Sequence, residues 1–245
     1  MSGFAADIRY VLRPPRAAKP RFVECGRLRK TIDGSMIEPA MSEFIFDGAK
    51  TAAITLVLAH GAGAPMDSPF METIAKGVAQ AGVRVARFEF PYMRRRRETG
   101  KGGAPDPGPV LVESWRQTIE KLGGPKKLVI GGKSLGGRIA SMVADDAGVR
   151  GLVCLGYPFH PPGKSEQTRT RHLENLKTPA LILQGTRDSF GKPDEIARYK
   201  LSKSIRIKWI EDGDHSLKPR VSSGRSEAQN LGVAIASIVE FVEAL

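Results

Sequence analysis

From residue 53 onward, short apolar runs alternate with longer stretches whose apolar positions recur every three or four residues, the pattern of strands interleaved with helices. Ala53 to Ala59 (AITLVLA) is a near-continuous apolar run, as expected of a parallel strand covered on both faces. Ser68 then suits a helix N-cap and Pro69 the first helical position; Phe70, Ile74, Val78 and Ala81 recur at helical spacing, and Gly82 ends the element. Val83 to Phe90 (VRVARFEF) alternates with period two and predicts the next strand. The Arg-, Gly- and Pro-rich stretch from Pro91 to Pro109 predicts a long loop, and Val110 to Leu122 a helix. Lys127 to Ile130, Gly151 to Leu155 and Ala180 to Leu183 are short apolar runs bounded by Gly or Pro and predict interior parallel strands. Ile205 to Ile210 (IRIKWI) alternates as an edge-proximal strand does. Ser226 to Leu245 predicts a closing helix through Leu231, Ile235, Ile238 and Val242. The fold class that follows is α/β, a mostly parallel twisted sheet with helices on both faces.

Residues 1–43 keep neither period and carry Pro14, Pro15, Pro20 and Pro39 among scattered Arg and Lys. They predict a poorly structured or loosely packed N-terminal extension before a domain over residues 44–245. An Arg-rich targeting segment is a second reading, which Asp7 and Glu24 weaken; a natural start at Met41 is a third. A chain of 245 residues suits one core. No run is long and apolar enough for a membrane span or a secretory signal, so a cytoplasmic protein is expected. Cys25 and Cys154 are too few and too far apart for a disulfide framework or a thiolate metal site, and Cys154 reads as a core residue.

The net charge of +12 is the unusual bulk property, but it is spread out. Residues 1–40 hold eight Lys/Arg against four Asp/Glu, and residues 91–110 five against two, mainly Arg94, Arg95, Arg96 and Arg97. With no nucleic-acid-reading module and no interleaved stacking aromatics, specific nucleic-acid binding is not expected, and a solvated basic surface is.

Gly132-Lys133-Ser134-Leu135-Gly136 follows the apolar run Leu128-Val129-Ile130 and precedes a helical pattern through Ile139, Met142 and Val143. Gly-x-Ser-x-Gly in that context is a nucleophile elbow: a strained strand-to-helix turn that lifts the serine hydroxyl clear of the sheet, with glycines where the backbone must pack closely. The N–H of Leu135, at the helix N-terminus, is a candidate oxyanion donor. A serine needs a base and an orienting acid, which in such an architecture follow it in the order acid, then histidine. Asp188, in the turn after Leu181-Ile182-Leu183, is the candidate acid, and His215, in the loop after Ile205 to Ile210, the candidate base.

Singly, Asp188 reads as a cap for a helix near Pro193 and His215 as a solvated loop histidine. Together with Ser134 they stand in the required order at three strand ends. Asp212 and Asp214 are reserve acids, too close in sequence to His215 to reach its far nitrogen easily. His60 reads as structural and His172 as a surface residue. The glycine-rich turn His60-Gly61-Ala62-Gly63-Ala64 offers a second oxyanion donor, Ala62 first and Gly63 next. Tyr92 and Arg94 in one loop, and His160 and Arg171 in another, are candidate substrate-binding residues. No cofactor and no metal is called for.

These motifs resemble the α/β-hydrolase superfamily over residues 53–217. The segments HGAGAPMDSPFM, FEFPYM, GGKSLGGR, GYPFHPPGK, LQGTRDSFG and GDHSL resemble a small lidless group related to dienelactone hydrolases, whose eukaryotic relatives include a testis-expressed protein and a subunit of a histone-acetyltransferase complex. The resemblance implies the fold and a serine triad but no substrate. Dienelactone hydrolases proper carry a cysteine nucleophile where this chain has Ser134, so lactone specificity is not carried over.

The leading functional expectation is hydrolysis of a carboxylic ester or thioester through an acyl-enzyme on Ser134; a peptidase uses the same triad. Only about twenty residues separate the strand ending near Gly156 from the one at Ala180, too few for a large cap, so an open site for a small or extended acyl substrate is expected. If the basic loops surround that site, the substrate is anionic. The competing expectation is a non-catalytic interaction module binding a protein or nucleic acid through its basic surface, which has no physical need to keep Ser134, Asp188 and His215 together.

Overall fold

The structure, a computed structural model, describes residues 43–245. The N-terminal extension, Cys25 and the start at Met41 lie outside the described residues. Seven strands form one sheet: β1 (Phe44–Asp47), β2 (Thr55–Ala59), β3 (Arg84–Phe88), β4 (Leu128–Lys133), β5 (Gly151–Leu155), β6 (Ala180–Gly185) and β7 (Ile205–Ile210). Their order is β1-β3-β2-β4-β5-β6-β7, and every pair is parallel except β1 with β3. Among the described residues six α-helices accompany them: α1 (Pro69–Gln80), α2 (Pro91–Thr99), α3 (Gly108–Lys121), α4 (Leu135–Ala147), the short α5 (Pro193–Ile196) and α6 (Glu227–Glu243).

The apolar runs became strands because both of their faces are covered. In β2, Val57 and Ala59 join the layer that holds Trp115 of α3 and Ile139 of α4, whereas Leu56 and Leu58 join the layer of Ile74, Val78 and, from α6, Ile238. β7 lies at the edge with one neighbour, and its residues alternate between half-buried and exposed up to the buried Ile210, as its polar alternation requires. α6 begins on a capping box in which the Ser226 hydroxyl accepts from the Gln229 N–H at 3.1 Å. Ser68 starts α1 in an extended conformation, but its hydroxyl makes no capping bond there.

Two elements differ from the sequence expectation. The stretch expected to be a loop from Pro91 carries α2, whose only buried residues are Tyr92 and Met93. So narrow an apolar stripe leaves no period to detect. The helix is held instead by Pro91 at its start, Gly100 at φ 65° just past its end, and side-chain ties that only the tertiary fold supplies. β1 was not foreseen because four residues, none of them fully buried, are too short to read as a strand. The segment between β5 and β6, residues 156–179, holds only the 3-10 turn Arg171–Asn175 and no large cap.

Candidate active site

β4 is the middle strand, and at its carboxyl end Ser134 stands between strand and α4 at φ 50°, ψ −111°, a conformation a residue with a side chain adopts only under constraint. Close packing imposes the constraint: a Cβ on Gly136 would fall on the Ala59 carbonyl oxygen, and one on Gly132 on the same atom. The sheet and helix backbones therefore lock the turn, and the Ser134 hydroxyl is left facing a cavity of about 340 Å³.

His215 Nε2 lies 2.9 Å from Ser134 Oγ, and His215 Nδ1 lies 2.8 Å from Asp188 Oδ2. Asp188 is fully buried. Besides the histidine, its carboxylate accepts the Phe190 N–H at 2.9 Å and the Gln184 side-chain amide at 2.9 Å, so its lone pairs are occupied in one orientation. Asp188 does not cap α5, which is closed instead by the Glu195 side chain accepting from the Lys192 N–H at 2.8 Å. The reserve acids are engaged elsewhere. The Arg220 guanidinium holds the Asp212 carboxyl down to about 2, and Asp214 accepts the N–H groups of Ser216 and Lys218.

The glycine-rich turn after β2 lines the same cavity through Gly61, Ala62, Gly63 and Ala64. Two of its carbonyls are held by side chains. The Gly61 oxygen accepts from His60 Nδ1 at 2.6 Å and from the Tyr92 hydroxyl at 3.3 Å; the Ala62 oxygen accepts from the same hydroxyl at 3.2 Å and from Arg96 at 3.2 Å. In a trans peptide the N–H points opposite to the carbonyl, so these bonds aim the Ala62 and Gly63 N–H groups the other way. Burial pushes the Tyr92 hydroxyl up to about 12, so it stays a donor. His60 is buried, with Nε2 accepting the Phe90 N–H at 3.1 Å, and burial holds it in the neutral form that bond requires. Leu135 opens α4, where its N–H has no intrahelical acceptor.

The four substrate-binding expectations fare differently. Tyr92 does not line the cavity but braces the turn that does. Arg94 lies at a separate cavity of about 260 Å³ with Glu43 and Lys121. His160 is buried, its Nε2 lying 3.6 Å from a Glu195 oxygen. Arg171 is exposed at the start of the 3-10 turn. The arginine run is not a free cationic rim either, because burying part of α2 draws carboxylates to it. Arg97 grips Glu89 at 2.6 Å and Asp67 at 2.5 Å, Arg95 pairs with Asp106, and Arg94 lies 3.7 Å from Glu43. His172, expected at the surface, is half-buried and lies 2.8 Å from Ser141 Oγ.

A family model described as an alpha/beta hydrolase domain matches residues 52–243. The chain belongs to the alpha/beta hydrolase family. Among solved structures, the dienelactone hydrolase of Anabaena variabilis superposes with a TM-score of 0.63 at 19% identity, covering 82% of this chain and 90% of that one. An alpha-beta serine hydrolase homologue from Coxiella burnetii gives 0.60 at 20% identity, covering 80% and 89%. A lidless serine hydrolase from Xanthomonas campestris gives 0.58 at 16%, covering 82% and 88%. At such identities the likeness is one of fold. Within this alpha/beta hydrolase, three residues around the cavity escaped the sequence reading. Phe190 lays its ring 4.2 Å from that of His215, Gln184 fixes Asp188, and Lys133 lines the cavity wall. Gln184 left a trace, being the one polar side chain in the apolar run of β6. Among the described residues no helix is long and apolar enough to cross a membrane, and no group of three or more His, Cys, Asp or Glu side chains is placed to hold a metal ion.

Proposed function

We propose that the protein is a serine hydrolase that cleaves a carboxylic ester or thioester through an acyl-enzyme on Ser134. The observation that carries this reading is the unbroken row Ser134 Oγ, His215, Asp188, with both contacts under 3 Å and its serine end open to a cavity. In the reaction, His215 Nε2 takes the hydroxyl proton as Oγ bonds to the acyl carbon. The tetrahedral oxyanion is met by the N–H of Leu135 and by those of Ala62 and Gly63. The imidazolium that forms is stabilised by Asp188 and passes its proton to the leaving oxygen or sulfur; a water then repeats the sequence to release the acid. The lack of a large cap over residues 156–179 favours small or extended acyl groups.

Labelling with a fluorophosphonate probe tests this, because the reagent needs an activated serine. The full chain is expected to label, the Ser134→Ala variant not to, and Ser141→Ala to label as the parent does. A folded Ser134→Ala protein that still labels would overturn the assignment.

A further inference from the structure

The charged side chain on the cavity wall is none of those in the arginine run. Of the residues that line the space in front of Ser134, Lys133 is the one lysine or arginine. It sits inside the elbow, between Gly132 and Ser134. Its stem crosses Gly61, where a Cβ would meet Lys133 Cγ at 3.5 Å, and its ammonium ends beside Gly156, where a Cβ would meet Nζ at 3.0 Å. Nζ donates to the His215 carbonyl at 2.5 Å and lies 5.7 Å from the centre of the Phe70 ring. An ammonium has three N–H donors, and among the described residues the His215 carbonyl is the one acceptor Lys133 has. Among the described residues no carboxylate is within ion-pair distance of it; Asp188 and Asp214 act on it only across space.

An ammonium with two donors unspent, on a half-buried side chain that lines the cavity, is costly to leave uncompensated and gains most from an anion that supplies the missing acceptors. The arginine run on this side of the sheet already has partners. Arg97, Arg95 and Arg94 lie against carboxylates and Arg96 against backbone carbonyls.

We propose that Lys133 determines specificity, selecting acyl groups whose far end carries a carboxylate that pairs with its ammonium while Ser134 attacks the ester or thioester carbonyl. The proposal rests on Ser134 being the nucleophile. Burial pulls the Lys133 ammonium down to about 8, against the opposing pull of Asp188 and Asp214. These carboxylates and the His215 ring are the titratable groups that face it. A carboxylate ligand favours the charged form, so binding near pH 8 takes up protons and the preference fades above that pH.

The test compares p-nitrophenyl half-esters of glutarate and adipate with p-nitrophenyl pentanoate and hexanoate, uncatalysed hydrolysis subtracted, in the parent, Lys133→Met and Lys133→Arg. The ratio of kcat/KM, anionic over neutral, is read because any effect on His215 through its carbonyl is common to both esters and cancels. At pH 7 the parent is expected to favour the anionic ester roughly tenfold or more, the scale of a charged hydrogen bond. Lys133→Met should bring the ratio near one, Lys133→Arg should keep part of it, and raising the parent's pH from 7 to 9 should lower it. A parent ratio of one or less, or one unchanged in Lys133→Met, would overturn the proposal. Turnover of no ester at all would count against Ser134 instead. The proposal is then decided by calorimetry of adipate binding to the parent at pH 8 in two buffers of different ionisation enthalpy, where proton uptake supports it and its absence overturns it.

Discussion

Among the described residues there are two serine–histidine hydrogen bonds of nearly equal length, 2.9 Å between Ser134 and His215 and 2.8 Å between Ser141 and His172, and they differ in everything around them. Ser134 stands on a constrained turn facing a cavity. Ser141 lies buried inside α4, where its hydroxyl also contacts the Arg138 carbonyl at 2.6 Å, a common resting place for a helical serine. Behind His215 is the Asp188 carboxylate. Beside His172 are the Tyr157 hydroxyl, 3.4 Å away, and the positive charge of Arg138. A hydroxyl touching an imidazole is therefore not in itself a catalytic device. It becomes one where the imidazolium that must form has a counter-charge and the oxygen has somewhere to attack.

The largest test of that contrast is on the carboxylate. Asp188→Asn should lower kcat/KM for an activated ester by a factor on the order of 10³ or more with the fold retained. His172→Gln should change it less than about twofold while costing about 1 kcal/mol of stability through a lost hydrogen bond. Near-normal turnover in Asp188→Asn, measured beside a chemical-denaturation curve, would dissolve the distinction.

A smaller effect sharpens the contrast through pH. His172 is held below its ordinary value of 6.5, first by burial and then by Arg138, and His60 is lowered mainly by burial. Both bind a proton more readily in the unfolded chain than in the folded one, so their contribution to stability is whole above 6.5 and falls as pH drops below it. Melting temperature should therefore decline from pH 7 to pH 5, and less steeply in His172→Gln than in the parent. Equal slopes would mean that His172 is not kept neutral by the fold.

What could be read from the chain and what could not divide along physical lines. The row Ser134, His215 and Asp188, proposed above as the catalytic machinery, could be anticipated because each residue follows a strand pattern broken by glycine, apolar before Ser134 and Asp188 and alternating before His215, and such punctuation survives in one dimension. The strand over Ile205–Ile210 was legible because its alternation matches its half-covered position at the sheet edge. α2 was not, because its stability comes from Glu89, Asp67 and Asp106, distant in sequence or out of register with any period. The same ties give the four adjacent arginines carboxylate or carbonyl partners that one dimension does not show. The bracing of Gly61 and Ala62 by Tyr92 likewise depends on two strand ends meeting, about thirty residues apart.

The strand that carries the serine is buried at the centre of the sheet, whereas the histidine rides on the loop after β7, the marginal strand. Beyond the contacts of His215 with Ser134 and Asp188, that loop is held mainly by side chains: Arg187 to the Asp212 carbonyl at 2.9 Å, Asn230 to the Glu211 and Leu217 carbonyls, and Lys133 to the His215 carbonyl. Marginal strands open at lower free energy than central ones. Under urea His215 should therefore part from Ser134 while most of the sheet still stands. Half-loss of esterase activity is expected at a lower urea concentration than half-loss of far-ultraviolet circular dichroism, with the amides of residues 205–217 exchanging with deuterium before those of 128–133.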